Sequence, residues 1–168
     1  MPETRDDVAR TAVQLERDGR IFYLDAAEKA QSELTRKMFG SLADDELKHI
    51  EWIEKMLPDV DTAGDANRNL YGRLRHIFAD VPEAKLRKIA TSESDVEAIN
   101  VAIEIEKRAV AAYEKWQAEA DGEDVKKLCN LLVGVERFHV QVLTNTLEYF
   151  EHPPDWFMQE EGWNFEGG

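Results

Sequence analysis

A pattern of carboxylate and imidazole residues that could bind metal occurs twice in the chain, at positions 90 residues apart. Glu46-x-x-His49 and Glu136-x-x-His139 each place a carboxylate and an imidazole one turn apart on the same face of a helix. Carboxylate and imidazole groups are ligands that iron and manganese accept in proteins. One such pattern is common by chance in an acidic helical sequence, so the repetition is the informative feature.

The rest of the chain matches itself at the same offset. Ala12-Val13-Gln14-Leu15-Glu16 aligns with Ala102-Ile103-Glu104-Ile105-Glu106. Further matches pair Tyr23 with Tyr113, Ala30 with Ala120, Leu42 with Leu132, and Leu57 with Leu147. Repetition at a fixed period indicates a duplicated supersecondary unit. Each copy therefore carries an upstream glutamate, Glu16 or Glu106, in addition to its Glu-x-x-His pattern.

Helix caps and breakers predict four long helices. They run from about Arg5 to Ala30, from near Ser32 to before Pro58, from Ser94 to about Glu119, and from after Asp121-Gly122 to about Glu151. Thr4 with Asp7, and Ser94 with Glu97, have the spacing of capping boxes. Two helix hairpins joined by a long connection predict an all-α four-helix bundle over residues 1–152, with a crossover at about 58–93. The aromatic segment 153–168 is predicted to pack on the bundle as a strap.

The four glutamates are predicted to lie at one level of this bundle. Each is 14 residues from the turn of its hairpin, which is roughly 21 Å along a helix. Each also falls on an apolar, core-facing seam with helical spacing. The four seams are Val8, Ala12, Glu16, Gly19, Tyr23, Ala26 and Ala30; Leu42, Glu46, His49, Ile53 and Met56; Ile99, Ala102, Glu106, Ala109, Tyr113 and Trp116; and Leu132, Glu136, His139 and Leu143.

Charged groups at core positions are costly unless they are paired. No lysine or arginine occupies the seams near this level, so a pair of divalent metal ions is the compensation that fits. Four carboxylates and two imidazoles are the ligand set of a di-iron or di-manganese carboxylate site. The predicted ligands are Glu16, Glu46, His49, Glu106, Glu136 and His139. The sequence predicts two Fe ions per chain, and Mn or a mixed Fe/Mn pair suits the same ligands.

Two tyrosines lie on the same seams, two turns beyond the upstream glutamates. Tyr23 follows Glu16, and Tyr113 follows Glu106. One interpretation makes them hydrogen-bond donors that orient the ligand carboxylates. The alternative is that they are core tyrosines whose hydroxyls are satisfied elsewhere.

These residues resemble the rubrerythrin-like branch of the ferritin-like superfamily, over nearly the whole chain. The resemblance is carried by Leu15-Glu16-Arg17-Asp18-Gly19-Arg20-Ile21-Phe22-Tyr23, Glu46-Leu47-Lys48-His49, Ile105-Glu106-Lys107-Arg108-Ala109-Val110, Glu136-Arg137-Phe138-His139, and the ending from Trp156-Phe157 to Gly167-Gly168. It implies a ferritin-like bundle with a non-haem di-iron site, in which Glu46 and Glu136 bridge the metals and Glu16 and Glu106 are terminal ligands. It also implies reduction of hydrogen peroxide, or oxidation of Fe²⁺ by O₂ or peroxide, in oxidative-stress defence.

The chain departs from the resembled family at two points. Full-length rubrerythrins carry a rubredoxin domain with four cysteines, whereas Cys129 is the single cysteine here. Electrons are therefore expected from an external donor such as a rubredoxin-like protein. The family also has a further carboxylate where this chain has Ala109, whose repeat mate is Gly19. Small residues at these positions would leave room for an oxidant beside the metals.

Composition excludes several other classes of partner. The 168 residues include 21 Lys and Arg against 35 Asp and Glu, a net charge of −14, which disfavours nucleic acid. The chain has no apolar run of about 18 residues that would predict a membrane helix, and its first residues lack an apolar signal core. A cytoplasmic location is therefore expected.

Two other functions fit the same ligand set. One is iron storage in a ferritin- or bacterioferritin-like shell. Bacterioferritin shares the doubled Glu-x-x-His pattern, and the residue after its first such glutamate resembles a haem-binding methionine. In this chain that residue is Leu47, so no haem is expected. The other is a non-enzymatic metal-binding bundle. A homodimer, or a domain-swapped one, is the expected assembly, because bundles of two hairpins leave the hairpins exposed.

Overall fold

The computed structural model describes residues 4–61 and 94–152, and these form four helices. The helices are α1 (Arg5–Lys29), α2 (Glu33–Met56), α3 (Asp95–Glu119) and α4 (Glu123–Glu151). Their bounds agree with the predicted ones to within two residues, which confirms the all-α prediction. The predicted crossover beyond residue 61 and the predicted strap at 153–168 lie outside the described residues.

The first and third helices begin at the predicted capping residues, and the second is capped by Ser32. Thr4 and Asp7 form a reciprocal capping box at the start of α1. The Ser32 hydroxyl accepts a hydrogen bond from the backbone N–H of Thr35 at 3.0 Å, and the Ser94 hydroxyl accepts one from Glu97 at 3.5 Å. Each cap satisfies a backbone donor that the first turn of a helix leaves without a partner.

Contacts of Arg5 show which helix termini share one end of the bundle. Its Nη2 donates to the carbonyl of Pro58 at 3.2 Å, and its Nε donates to Asp124 Oδ2 at 2.9 Å. The start of α1, the end of α2 and the start of α4 therefore lie together. We call this the Arg5 end.

Asp95 marks the opposite end. Its two carboxylate oxygens accept hydrogen bonds from the backbone N–H groups of Gln31 and Ser32, each at 2.9 Å. The start of α3 thus lies against the turn between α1 and α2. Helix α2 therefore ends at the Arg5 end of the bundle, and α3 begins at the Asp95 end.

Each helix packs mainly against its hairpin partner, and the hairpins meet along α1–α3 and α2–α4. Helices α1 and α3 start at opposite ends and are antiparallel, and so are α2 and α4. The two repeats are therefore related by a pseudo-two-fold axis that crosses the bundle near its middle.

The apolar core is divided into two clusters, one toward each end. Phe22, Phe39 and Leu143 belong to the cluster toward the Asp95 end, and Ile53 and Leu128 to the one toward the Arg5 end. The predicted seams are buried, except that Met56 and Ala109 are partly exposed. Met56 lies in the last turn of α2, where the partner helices no longer cover it. No helix of the described residues is long and apolar enough to cross a membrane.

Asp95 provides a test of how the two hairpins are joined. Burial opposes its charge, but hydrogen bonds from the Gln31 and Ser32 amides outweigh this and lower its pKa. Asp95→Asn should reduce the free energy of unfolding of the metal-free protein by about 1 kcal/mol at pH 7, since the bonds are partly exposed. A lowered folded pKa means that this contribution is present above the ordinary carboxyl pKa and is lost as the pH falls through the lowered value.

Urea unfolding of Asp95→Asn measures this difference. Asp121→Asn, an exposed residue in the turn of the second hairpin, is the matched control and should unfold like the wild type. Equal stability of Asp95→Asn and the wild type at pH 7 would show that the contact does not join the hairpins.

Candidate metal centre

All six predicted metal ligands are brought together between the two apolar clusters. Their exposed fractions lie between 1% and 3%. Their donor atoms form two groups, and within each group the atoms lie within 4.8 Å of one another. The first group is Glu16, Glu46, His49 and Glu136, and the second is Glu46, Glu106, Glu136 and His139.

Each group combines both hairpins in the same way. Three residues come from one hairpin, and the fourth is the Glu-x-x-His glutamate of the other hairpin. Glu46 and Glu136 are therefore common to both groups, because α2 and α4 face each other across the pseudo-two-fold axis. A carboxylate with two oxygens can serve two neighbouring ions, so the shared pair stands where bridging ligands would be needed.

The imidazole Nδ1 atoms point into these groups. His49 Nδ1 lies 3.0 Å from Glu16 Oε2, 3.4 Å from Glu46 Oε2 and 3.2 Å from Glu136 Oε1. The two imidazole rings lie side by side, with centroids 5.3 Å apart and planes inclined by 23°. His49 Nδ1 and the three carboxylate oxygens therefore surround one space. A single cation placed there would meet four ligand atoms.

The second group repeats this arrangement with small differences. His139 Nδ1 lies 3.2 Å from Glu106 Oε1, 3.0 Å from Glu136 Oε2 and 3.7 Å from Glu46 Oε1. The contacts are those expected from the pseudo-two-fold relation between the hairpins.

Each tyrosine hydroxyl donates a hydrogen bond to the glutamate of the other hairpin. Tyr23 donates to Glu106 Oε1, and Tyr113 donates to Glu16 Oε1. This pairing between hairpins follows from the antiparallel packing of α1 and α3, since helical side chains lean toward the N-terminus of their own helix. The sequence suggested donors to ligand carboxylates but did not indicate which tyrosine serves which glutamate.

Both tyrosines keep their protons. Burial, followed by the charges of nearby glutamates, raises the pKa of Tyr23 and that of Tyr113 well above the usual value of 10. Each protonated hydroxyl donates a hydrogen bond that holds a carboxylate oxygen in place.

The metal-free centre holds protons on its imidazoles. Burial opposes the charged form of His49, but Glu136 and Glu16 outweigh it and raise its pKa to about 9. The same balance, with Glu106 and Glu136 as partners, raises the pKa of His139 to about 10. Burial alone would raise the pKa of Glu136, but its contacts with both imidazoles lower it to about 2.

The other shared glutamate has the opposite tendency. Burial, and then the charges of Glu16 and Glu136, raise the pKa of Glu46 well above its usual range. Burial and the charge of Glu136 likewise raise the pKa of Glu106 to about 8. Carboxylates confined this closely cannot all ionise without cations among them.

The donor set fits a pair of divalent metal ions. Neither oxygen of the buried Glu136 accepts a hydrogen bond of good geometry, although each lies close to an imidazole nitrogen. Four carboxylates also carry the charge that balances two divalent cations. The oxygens of Glu136 therefore have lone pairs available to such ions. The four carboxylates together supply the charge that the ions require.

Two neighbours of the imidazoles were not identified from the sequence. Asp45 Oδ2 lies 3.7 Å from His139 Nε2, and its Oδ1 accepts a hydrogen bond from Lys48 Nζ at 2.6 Å. The centroid of the Trp52 ring lies 5.2 Å from that of the His49 ring. Asp45 is one residue off the seam of α2, so helical periodicity gave no indication of it.

A small cavity adjoins the glutamates on the side away from the imidazoles. Its volume is about 20 Å³, roughly the space needed by one water-sized molecule. It is lined by four pairs of repeat mates: Leu15 and Ile105, Glu16 and Glu106, Gly19 and Ala109, and Glu46 and Glu136. The cavity therefore lies on the pseudo-two-fold axis, between α1 and α3, as expected from the small residues at positions 19 and 109.

Comparisons with known proteins agree with this geometry. The family model described as Rubrerythrin matches residues 7–147. No protein of curated function matches the chain. Among solved structures, the crystal structure of a DUF305 fragment from Deinococcus radiodurans aligns with a TM-score of 0.64 and 14% identity, covering 88% of this chain and 98% of that one. At this identity the alignment supports the helical-bundle fold alone.

Removing either tyrosine hydroxyl should weaken metal binding. Tyr23→Phe and Tyr113→Phe each leave one ligand carboxylate without its donor, and loss of such a contact commonly lowers metal affinity by about 10–100-fold. Competition with a fluorescent chelator for Mn²⁺ measures the change, with Tyr149→Phe near the end of α4 as the control. Wild-type affinity in both centre variants would contradict the orienting role.

Metal binding should release protons. A metal-bound imidazole is neutral at the ligating nitrogen, whereas His49 and His139 have pKa values of about 9 and 10 without metal. At pH 7 binding should therefore release about two protons from the imidazoles and further protons from Glu46 and Glu106, whose pKa values are also raised, and Mn²⁺ affinity should rise from pH 6 to pH 8. Calorimetry in buffers of different ionisation enthalpy measures the protons released.

The exposed His152 provides the control for this measurement, and His152→Gln should behave like the wild type. An affinity that does not change with pH would mean that the two imidazoles do not ligate the metal.

Proposed function

The chain belongs to the rubrerythrin family, and we propose that it is a di-iron oxidoreductase. The proposed reactions are reduction of hydrogen peroxide and oxidation of Fe²⁺ by O₂ or peroxide, in defence against oxidative stress. The observation that carries the proposal is the pair of buried donor groups that share Glu46 and Glu136. Shared carboxylates favour two ions held side by side over two independent ions.

The chemistry of such a pair is a two-electron reduction. Two ferrous ions held by these residues would each supply one electron, with the balance H₂O₂ + 2 Fe²⁺ + 2 H⁺ → 2 H₂O + 2 Fe³⁺ as the O–O bond breaks. Carboxylates favour the ferric state and imidazoles also bind the ferrous state, so this ligand set suits both.

Each residue has a distinct part in this proposal. Glu16 and His49 would hold one ion, and Glu106 and His139 would hold the other. The shared glutamates Glu46 and Glu136 would serve both ions, as the family resemblance implies. The tyrosine hydroxyls fix the outer oxygens of the terminal glutamates.

The surroundings of the centre support the same function. The apolar clusters above and below keep bulk water from the ions, and a preorganised site loses little energy to rearrangement during reaction. The cavity beside the carboxylates has room for a small oxidant next to both ions. Protons for the two waters come from solvent.

Partners and assembly are part of the proposal. With Cys129 as the single cysteine, the chain has no four-cysteine rubredoxin site of its own. We therefore propose a separate electron donor, such as a rubredoxin-like protein, and a homodimer as the assembly. Iron is proposed because the family resemblance implies a di-iron site, and manganese suits the same ligands.

Anaerobic loading of the metal-free protein followed by peroxide tests the function. Fe²⁺ uptake should stop near two ions per chain, and one H₂O₂ should then oxidise two ferrous ions. Glu46→Gln alters a ligand of both groups, so retained iron and peroxide turnover should fall, the latter by at least about 100-fold. Glu51→Ala, an exposed acidic residue on the same helix, is the matched control.

Other outcomes identify the alternative functions. Uptake far beyond two ions per chain, with a large assembly in light scattering, would indicate iron storage. Retention of two ions with no consumption of peroxide or O₂ would indicate a metal-stabilised bundle and overturn the proposed reaction.

A further inference from the structure

Gly19 lies in the interior of α1, where glycine is unfavourable. A glycine within a helix lowers stability relative to alanine, because it leaves the unfolded backbone more freedom to lose. Glycine is required where φ is positive, but none of the described glycines has a positive φ. The backbone of α1 therefore does not explain why position 19 has no side chain.

Packing does not explain it either. A Cβ placed on Gly19 would lie 3.5 Å from Cδ and 3.6 Å from Oε1 of Glu46, which is ordinary van der Waals contact. Alanine would fit, and it would touch a carboxylate that both donor groups share. What glycine provides at this position is empty space against Glu46.

That space is part of the cavity on the pseudo-two-fold axis. Gly19 faces its repeat mate Ala109 in the lining, and Leu15 and Ile105 complete the apolar part of the wall. Leu15 and Ala109 are partly exposed and stand toward solvent, whereas the glutamates form the inner wall. A Cβ at position 19 would extend into this cavity and reduce the room beside Glu46.

We propose that Gly19 determines oxidant size, by opening a pocket that admits hydrogen peroxide or dioxygen and excludes alkyl hydroperoxides. The inference rests on the proposed function, because it assigns the substrate size of the same centre. An oxidant of two oxygen atoms fits a space of one water-sized molecule with little adjustment, while a tertiary butyl group does not. The symmetric lining also brings the oxidant equally near to both donor groups.

The reaction that reports on the pocket is the one stated above. The O–O bond accepts two electrons from two ferrous ions and two protons from solvent, and an alkyl hydroperoxide would give one alcohol and one water by the same balance. The two classes of oxidant thus differ in size rather than in the electrons that they require.

Gly19→Ala and Gly134→Ala form a matched pair. Gly134 lies in the interior of α4, is exposed, and would have no atom within 4 Å of an added Cβ. Both substitutions should raise the urea midpoint of the metal-free protein, because alanine favours the helix. Only Gly19→Ala should affect the pocket.

The first measurement is ligand binding without turnover. Azide is a small anion that adds an absorption band when it binds ferric iron, so its affinity for the air-oxidised, iron-loaded protein reports on access. Gly19→Ala should weaken azide binding at least about tenfold, the usual effect of one added methyl group in a fitted pocket. Gly134→Ala should bind azide like the wild type, and iron content is measured in each sample.

The second measurement compares oxidants on the ferrous protein by stopped flow. Hydrogen peroxide, O₂ and tert-butyl hydroperoxide are tested separately, which distinguishes the two small oxidants. The wild type should react with tert-butyl hydroperoxide at least about 100-fold more slowly than with hydrogen peroxide. Gly19→Ala should slow the hydrogen peroxide reaction at least about tenfold.

Ala109→Gly extends the test from the other wall of the pocket. It should raise the rate with tert-butyl hydroperoxide at least about tenfold. If Gly19→Ala displaces Glu46 and loses iron, this variant decides the question, and an unchanged rate with tert-butyl hydroperoxide overturns the inference.

The outcomes separate this inference from the proposed function. Wild-type azide affinity and peroxide rate in fully loaded Gly19→Ala would overturn the role of Gly19, and so would equal wild-type rates with both peroxides. The proposed oxidoreductase function would survive either result. If neither the wild type nor Gly134→Ala consumes any oxidant, the proposed function fails, and the azide measurement still decides whether Gly19 controls access.

Discussion

The mutual repulsion of four glutamates buried at one level of the bundle constrains the rest of this structure. Each ionised carboxylate loses several kcal/mol of hydration when it leaves water. In the metal-free protein, protonated imidazoles offset part of that cost, and the contrasting pKa shifts of Glu136 and Glu46 show that the charge is shared unequally. Divalent ions would relieve the repulsion, so folding and metal binding are coupled.

The pseudo-two-fold relation between the hairpins explains how the centre is supported. Because α1 and α3 are antiparallel, the tyrosine of one hairpin reaches the glutamate of the other. Because α2 and α4 face each other, Glu46 and Glu136 belong to both donor groups. Neither hairpin holds a complete set of ligands and donors by itself, so the centre exists only when both are docked.

The two sides of the centre are lined by different groups. The imidazoles lie on the α2–α4 side, where Asp45 and Trp52 approach their outer edges. The cavity lies on the α1–α3 side, bounded by Gly19 and Ala109. Symmetry between the hairpins is not complete, because the repeat mate of Asp45 is Val135. The two donor groups therefore have different surroundings.

The sequence alone determined the helices, their pairing into hairpins, and the level of the four glutamates, because caps, helical periodicity and an internal repeat are local or additive properties. It placed Glu16, Glu46, Glu106 and Glu136 on buried seams, where the structure has them. Only the tertiary structure decided the exchange of Tyr23 and Tyr113, the approach of Asp45 to His139, and the cavity beside Gly19. These features depend on how two helices from different repeats face each other. The spacing of residues along one helix carries no information about the distance between side chains on two different helices.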